Sequence, residues 1–237
     1  VGPEPIPYRE HPVRGVPGAL VWRRRVSGAA LVLPDGCMDL LWLGERLVVA
    51  GPDTRGYRVA APAGAAVRGI RFAPGTAPAL LGAPPGELLD SRVALSELWP
   101  ADRVRRAVGL VAAEGDPLRG LAEIGRWLTA DAGPVDPVPE RIVRSLRGGA
   151  SVAATADAAG LGARRLHRLS LAAFGYGPKT LARVLRLQRV LALADRGIPF
   201  AECAFRAGYA DQPHLAREVR ALTGRPLREL LGQDSGA

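Results

Sequence analysis

Two stretches of the carboxy-terminal half repeat one another, and a chain carrying one supersecondary unit twice has few folds open to it. Ser151 to Gly175 (SVAATADAAGLGARRLHRLSLAAFG) aligns with Pro199 to Gly224 (PFAECAFRAGYADQPHLAREVRALTG). Val152, Ala156 and Gly160 match Phe200, Ala204 and Gly208 at an offset of 48, and Leu166, Arg168 and Gly175 match Leu215, Arg217 and Gly224 at an offset of 49. One residue inserted between the two blocks accounts for the change in offset.

Each copy has the pattern of a helix of about eight residues that ends in glycine, followed within a few residues by a second, amphipathic helix. The glycine allows the left-handed conformation of a sharp reversal, and Ala156 or Ala204 is small where two helices must approach closely. The polar face of the second helix carries Arg164, Arg165, His167 and Arg168 in one copy and Gln212, His214, Arg217 and Arg220 in the other. Arginine can bond guanine, and glutamine adenine, through paired contacts in a major groove. Asp211 is placed to cap the second of these helices, with Pro213 in its first turn, where a missing N–H costs little. Between the copies, Pro178 to Ala194 (PKTLARVLRLQRVLALA) predicts one uninterrupted helix of roughly 25 Å, long enough to hold both units rigidly.

The charge distribution agrees. Residues 1–137 carry a net charge of +1 and residues 138–237 a net of +8, so nearly all of the chain's +9 lies with the repeats. A phosphate-binding module joined to a neutral partner would have this asymmetry. Of the 32 basic residues only Lys179 is a lysine.

The first half reads differently. Short apolar runs separated by turn residues predict six strands, at Ala19 to Arg25, Ala29 to Leu33, Met38 to Leu43, Arg46 to Ala50, Tyr57 to Ala60 and Ala65 to Phe72. Gly44 and Glu45 fit a two-residue hairpin loop, and Pro34-Asp35-Gly36 is a second turn. Val104, Val108 and Val111, then Leu118, Leu121, Ile124 and Leu128, predict a helical hairpin whose apolar stripes serve either the domain's own core or a dimer surface. Three prolines and a glycine between Ala132 and Pro139 mark a linker. The expected architecture is α+β: residues 1–131 a β-rich barrel or sandwich with the helical hairpin, 132–139 the linker, and 140–237 an all-α domain with two helix-turn-helix units.

At this point the residues resemble a known family. GLGARRLHRL, FGYGPKTLARVLRLQRVLAL and FAECAFRAGYADQPHLAREVRALTG are similar to the DNA-binding domain of the AraC/XylS bacterial transcription regulators. The resemblance covers Ser151 to Leu231, about a third of the chain. It implies that Arg164, His167 and Arg168 of one reading helix, and Gln212, Pro213, His214 and Arg217 of the other, face double-stranded DNA. Ser170, Thr155 and Cys203 stand where the family prefers larger apolar side chains. The first half, with its PDGCMDL corner, is similar to the cupin-like sensor domains attached to this family. That implies a small-molecule effector, RNA polymerase as a partner where such a regulator activates, and a homodimer.

Candidates for other chemistry are few. His11, His167 and His214 are far apart, and Cys37 and Cys203 are the only cysteines, so neither a metal nor a disulfide framework is expected. No nucleophile with a base, paired carboxylates or phosphate-cradling loop stands out, so the chain reads as a regulator rather than an enzyme, with no cofactor. Trp22, Cys37 and Trp42 are the candidates to line a ligand pocket. The Arg23-Arg24-Arg25 run could hold an anionic effector, touch DNA or lie solvated on a strand edge. Two competing readings are a DNA-directed alkylation sensor or repair protein using Cys37, and a nonspecific architectural DNA binder. The lack of an apolar run of membrane-spanning length, or of a secretion signal at Val1 to Pro5, predicts a cytoplasmic, nucleoid-associated protein.

Overall fold

The computed structural model describes residues 8–26, 29–60 and 64–234. The strands are β1 (Arg9–Pro12), β2 (Leu20–Val26), β3 (Ala29–Val32), β4 (Met38–Leu43), β5 (Arg46–Ala50), β6 (Tyr57–Ala60), β7 (Ala65–Phe72) and β8 (Arg92–Ala94). The six expected strands are there, with ends shifted by one residue in β2 and β3 and unchanged in the other four. The two that periodicity missed are the sheet's edges: β1 is wholly exposed and contains a proline, and β8 has three residues, so neither carries an apolar alternation.

Six strands form one antiparallel sheet in the order β1-β2-β7-β4-β5-β8, and β3 pairs with β6 in a two-stranded ribbon. The Gly44-Glu45 loop joins β4 to β5 with both residues at positive φ, 51° and 68°, as a type I′ hairpin turn requires. Alternation gives the sheet two faces. Val21, Met38, Leu40, Leu47, Val49, Ile70 and Phe72 point to an inner face buried in the first core.

That inner face is covered by helices. After α1 (Ala77–Leu81), a 3₁₀ turn at Pro85–Leu88 and α2 (Leu95–Leu98), the hairpin α3 (Ala101–Ala113) and α4 (Pro117–Ala132) packs with α4 against β2, β7 and β4. Leu118, Leu121, Ile124 and Leu128 of α4 and Val111 of α3 are buried in the first core, with Val104 and Val108 packed at its edge. The apolar stripes are therefore core, and the alternative of a dimer surface made from them does not hold. Gly120 lies where a Cβ would overlap the backbone of Val111, so glycine there is what allows α3 and α4 to cross so closely.

The carboxy-terminal part consists of α5 (Val138–Arg147), α6 (Val152–Ala158), α7 (Ala163–Phe174), α8 (Pro178–Ala194), α9 (Phe200–Ala207), α10 (Gln212–Thr223) and α11 (Leu227–Asp234). The predicted long helix and α8 have the same bounds. Its first half contributes Leu181 and Leu185 to a core with Leu166 and Phe174, and its second half contributes Leu187, Val190 and Ala194 to a core with Leu215 and Val219. One rod thus supplies a wall to both repeats.

The two parts of the chain are docked together. The corner at Pro34 touches α8, where Gln188 Nε2 donates to the Pro34 carbonyl at 2.7 Å. Leu31 and Leu33 of the ribbon segment pack on the second helical core, and the Gly56 N–H donates to the Leu222 carbonyl at 2.6 Å. The Gly175 turn after α7 lies against Pro85, and Gly75 against Phe174.

Candidate nucleic-acid interface

The turn inside each repeat follows from its glycine. Gly160 after α6 has φ 64° and Gly208 after α9 has φ 78°, the left-handed reversal that brings α7 and α10 back across their partners. Helical spacing then sorts the side chains. In α7, Leu166, Ser170 and Phe174 are buried at intervals of four, while Arg164, Arg165, His167 and Arg168 are exposed. In α10, Leu215, Val219 and Leu222 are buried, while Gln212, Pro213, Arg217 and Arg220 are exposed. Lys179 is exposed at the start of α8.

None of these basic side chains has an acidic partner among the described residues. Glu218, on the flank of α10, is taken up by Arg183 of α8 through bonds of 2.8 and 3.2 Å, which also ties α10 to the rod. Two exposed helix faces are thus left with unpaired positive charge and no competing carboxylate, as contact with phosphates and base edges requires. His214 is more restrained than the sequence suggested. It is half-buried, with its ring edge-on to Tyr209 at 5.3 Å.

Asp211 caps α10 as expected, its side chain accepting from the His214 N–H at 2.6 Å. Asp211→Ala should cost about 1 kcal/mol of stability and lower the melting temperature, measured by circular dichroism. Of the three unusual core residues, Thr155 is satisfied by Ser145 through a 2.8 Å hydroxyl contact, and Cys203 donates from Sγ to the Ile198 carbonyl at 3.2 Å. Ser170 is fully buried with its hydroxyl unpartnered. Ser170→Ala removes that desolvated group, so the variant should be more stable by about 1 kcal/mol in the same assay.

The candidate ligand residues of the first half separate. Trp22 lies on the outer face of the sheet, where Gly69 opposite it leaves room for the indole and Asp39 accepts from its Nε1 at 3.0 Å. Trp42 lies on the inner face at the margin of the first core, opposite Arg68 and Leu47. Trp22 and Trp42 therefore cannot line one pocket, because an even number of alternations separates same-face residues and their register puts them on opposite sides. Cys37 sits in the turn before β4, its N–H bonded to Asp35 Oδ1 at 2.8 Å. Burial first, and then the Asp35 charge, pushes its thiol well above the ordinary range. A thiol so placed is a poor nucleophile, which counts against the repair reading.

A cluster that sequence reasoning missed surrounds Trp22. Arg71 binds Asp39 at 3.1 and 3.2 Å and Asp35 at 3.3 Å. Burial raises the Asp39 carboxyl and Arg71 opposes it. For Arg71 burial works downward, but the two aspartates outweigh it and hold the guanidinium charged. Asp39 and Arg71 are direct cross-strand partners, and only the β4–β7 register reveals that.

Comparison with known proteins bears on both halves. Residues 155–233 match a family described as Helix-turn-helix domain, and residues 19–94 match a Domain of unknown function (DUF6597). No curated protein matches significantly. Among solved structures, ToxT from Vibrio cholerae strain O395 is 10% identical with a TM-score of 0.50, covering 93% of this chain and 99% of its own. ToxT from the same strain bound to a naphthalenyl butenoic acid is 10% identical with a TM-score of 0.50, over 97% and 100% of the two chains. An apo ToxT variant from strain SCE256 reaches 0.51 at 10% identity, over 91% and 97%. At such identity the likeness is one of fold.

Proposed function

We propose that this chain is a DNA-binding transcription regulator of the AraC/XylS kind, in which α7 and α10 read sequence in double-stranded DNA and the β-rich half controls them in response to a small molecule. The observation that carries this reading is the pair of matched helix faces, both exposed, both basic and both free of acidic partners. Arg164, Arg165, His167, Arg168 and Lys179 serve the first unit, and Gln212, Pro213, His214, Arg217 and Arg220 the second. Arginine contacts to phosphate supply affinity, and contacts to base edges supply specificity.

The domain division in this reading is residues 1–131 for sensing, 132–139 for the linker and 140–237 for DNA binding. In support, α4 ends at Ala132 and α5 begins at Val138. The sensing half acts through the surfaces where it meets both reading units, the Gly56–Leu222 hydrogen bond and the Pro85–Gly175 contact. The small molecule is supported by ToxT, which has the same fold and has been crystallised with an organic acid. A homodimer, and RNA polymerase as partner at activated promoters, complete the reading. No helix among the described residues is long and apolar enough to cross a membrane.

Selection of bound sites from random duplex DNA tests the proposal. The expected product is a motif with two recognition blocks about one helical turn apart. Uniform retention of all sequences would instead favour an architectural binder.

A further inference from the structure

The arginine run of β2 is divided by the sheet. Arg24 turns to the outer face with Trp22, whereas Arg23 and Arg25 turn to the inner face with Val21. The register then sets Arg9 of β1 opposite Arg23, Arg23 opposite Arg68 of β7, and Arg68 opposite Trp42 of β4. Three arginines consequently stand side by side on one rung and one face, with Arg25 two residues along on the same face. Like charges directly opposite one another destabilise a sheet, so an uncompensated rung of this kind is costly.

No acid among the described residues compensates it. Of the other partly buried arginines, Arg71 has Asp35 and Asp39, Arg92 has Asp53 and Arg183 has Glu218, while Arg186 lies over the Tyr209 ring. Arg9, Arg23, Arg25 and Arg68 have no ion pair among the described residues. Arg23 and Arg25 are half-buried, and the Nε of each is shielded from solvent with no acceptor. Shielded N–H donors on charged groups, left unmatched, are among the more expensive features a fold can retain. An oxyanion with several acceptor atoms satisfies the donors and cancels the repulsion together, and guanidinium groups suit carboxylate and phosphate geometry.

We propose that this arginine rung is a binding site for a small oxyanion carrying two or more negative charges, of the phosphate or polycarboxylate class. DNA phosphate is not its source. The carboxy-terminal part touches the first half at the Pro34–Gly36 corner, at Gly56, at Gly75 and at Pro85, and none of these contacts involves Arg9, Arg23, Arg25 or Arg68. The site gives a chemical class to the effector proposed above; its role in regulation rests on that reading, and anion binding by itself does not.

The test is calorimetric titration of the full chain with citrate and, separately, with inorganic pyrophosphate, in chloride buffer at fixed ionic strength. The parent protein should bind, the Arg23→Gln/Arg68→Gln double variant should bind at least tenfold more weakly, and Arg24→Gln, which removes the same charge from the other face, should match the parent. In the same chloride buffer without citrate or pyrophosphate the double variant should unfold at a higher temperature than the parent, which also establishes that it folds. The proposal is overturned if the parent binds neither anion or if the double variant binds as well as the parent. It is equally overturned if the double variant loses DNA affinity in chloride buffer without citrate or pyrophosphate, which would make these arginines a DNA contact. Binding of the anion at the rung with no change in DNA affinity would uphold the site and remove the effector role.

Discussion

Alanine at both Arg168 and Arg217 should weaken binding to a selected DNA site by about 2 to 6 kcal/mol, roughly thirtyfold to twenty-thousandfold. Each arginine occupies the same position in its repeat, exposed on α7 or α10 and without an acidic partner among the described residues, so no described carboxylate competes with DNA for it. Loss of a bidentate contact to a base costs about 1 to 3 kcal/mol, and two such sites on separate cores should add. Fluorescence anisotropy at one salt concentration measures the effect. The single variants should each relax preference in a different recognition block, which separates base reading from simple loss of charge. Parental affinity in both single variants would show that other side chains do the reading.

Gly51→Ala is the substitution expected to damage the fold most. Gly51 follows β5, is buried, and donates its N–H to the Ser91 carbonyl at 3.0 Å. A Cβ there would overlap the Leu88 carbonyl, a backbone group held by the 3₁₀ turn, so a side-chain rotation cannot relieve it. The cost should be about 3 kcal/mol or more, a fall in melting temperature of roughly 6 to 12 °C by differential scanning calorimetry. Gly44→Ala is the control. It has positive φ but open space around it, so only backbone strain of about 1 kcal/mol is expected. If Gly51→Ala melts no lower than Gly44→Ala, the close approach of β5 to the Leu88 turn is wrong.

The interior of the repeats was legible from sequence because helical packing is local. The spacing of Leu166, Ser170 and Phe174 is visible within one helix, and so is that of Leu215, Val219 and Leu222. The apolar runs gave six strands for the same reason, the four inside the main sheet and the two of the ribbon, while the exposed edge strand β1 and the three-residue β8 had no pattern to give. The docking of β3 and Gly56 onto the second repeat left no trace, because it joins segments far apart in the chain through one backbone hydrogen bond and a few leucines.

The sequence by itself therefore determined that the chain carries a duplicated helix-turn-helix unit, the bounds of the long helix between the copies, and which faces of α7 and α10 look outward. It did not determine which side of the sheet Trp22, Trp42 or each arginine of the Arg23–Arg25 run would occupy relative to residues on other strands. Cross-strand register is set by pairing between distant segments, and a shift of one residue exchanges the two faces of a strand. The Asp39–Arg71 pair and the arginine rung exist only in that register, so tertiary structure alone decided them.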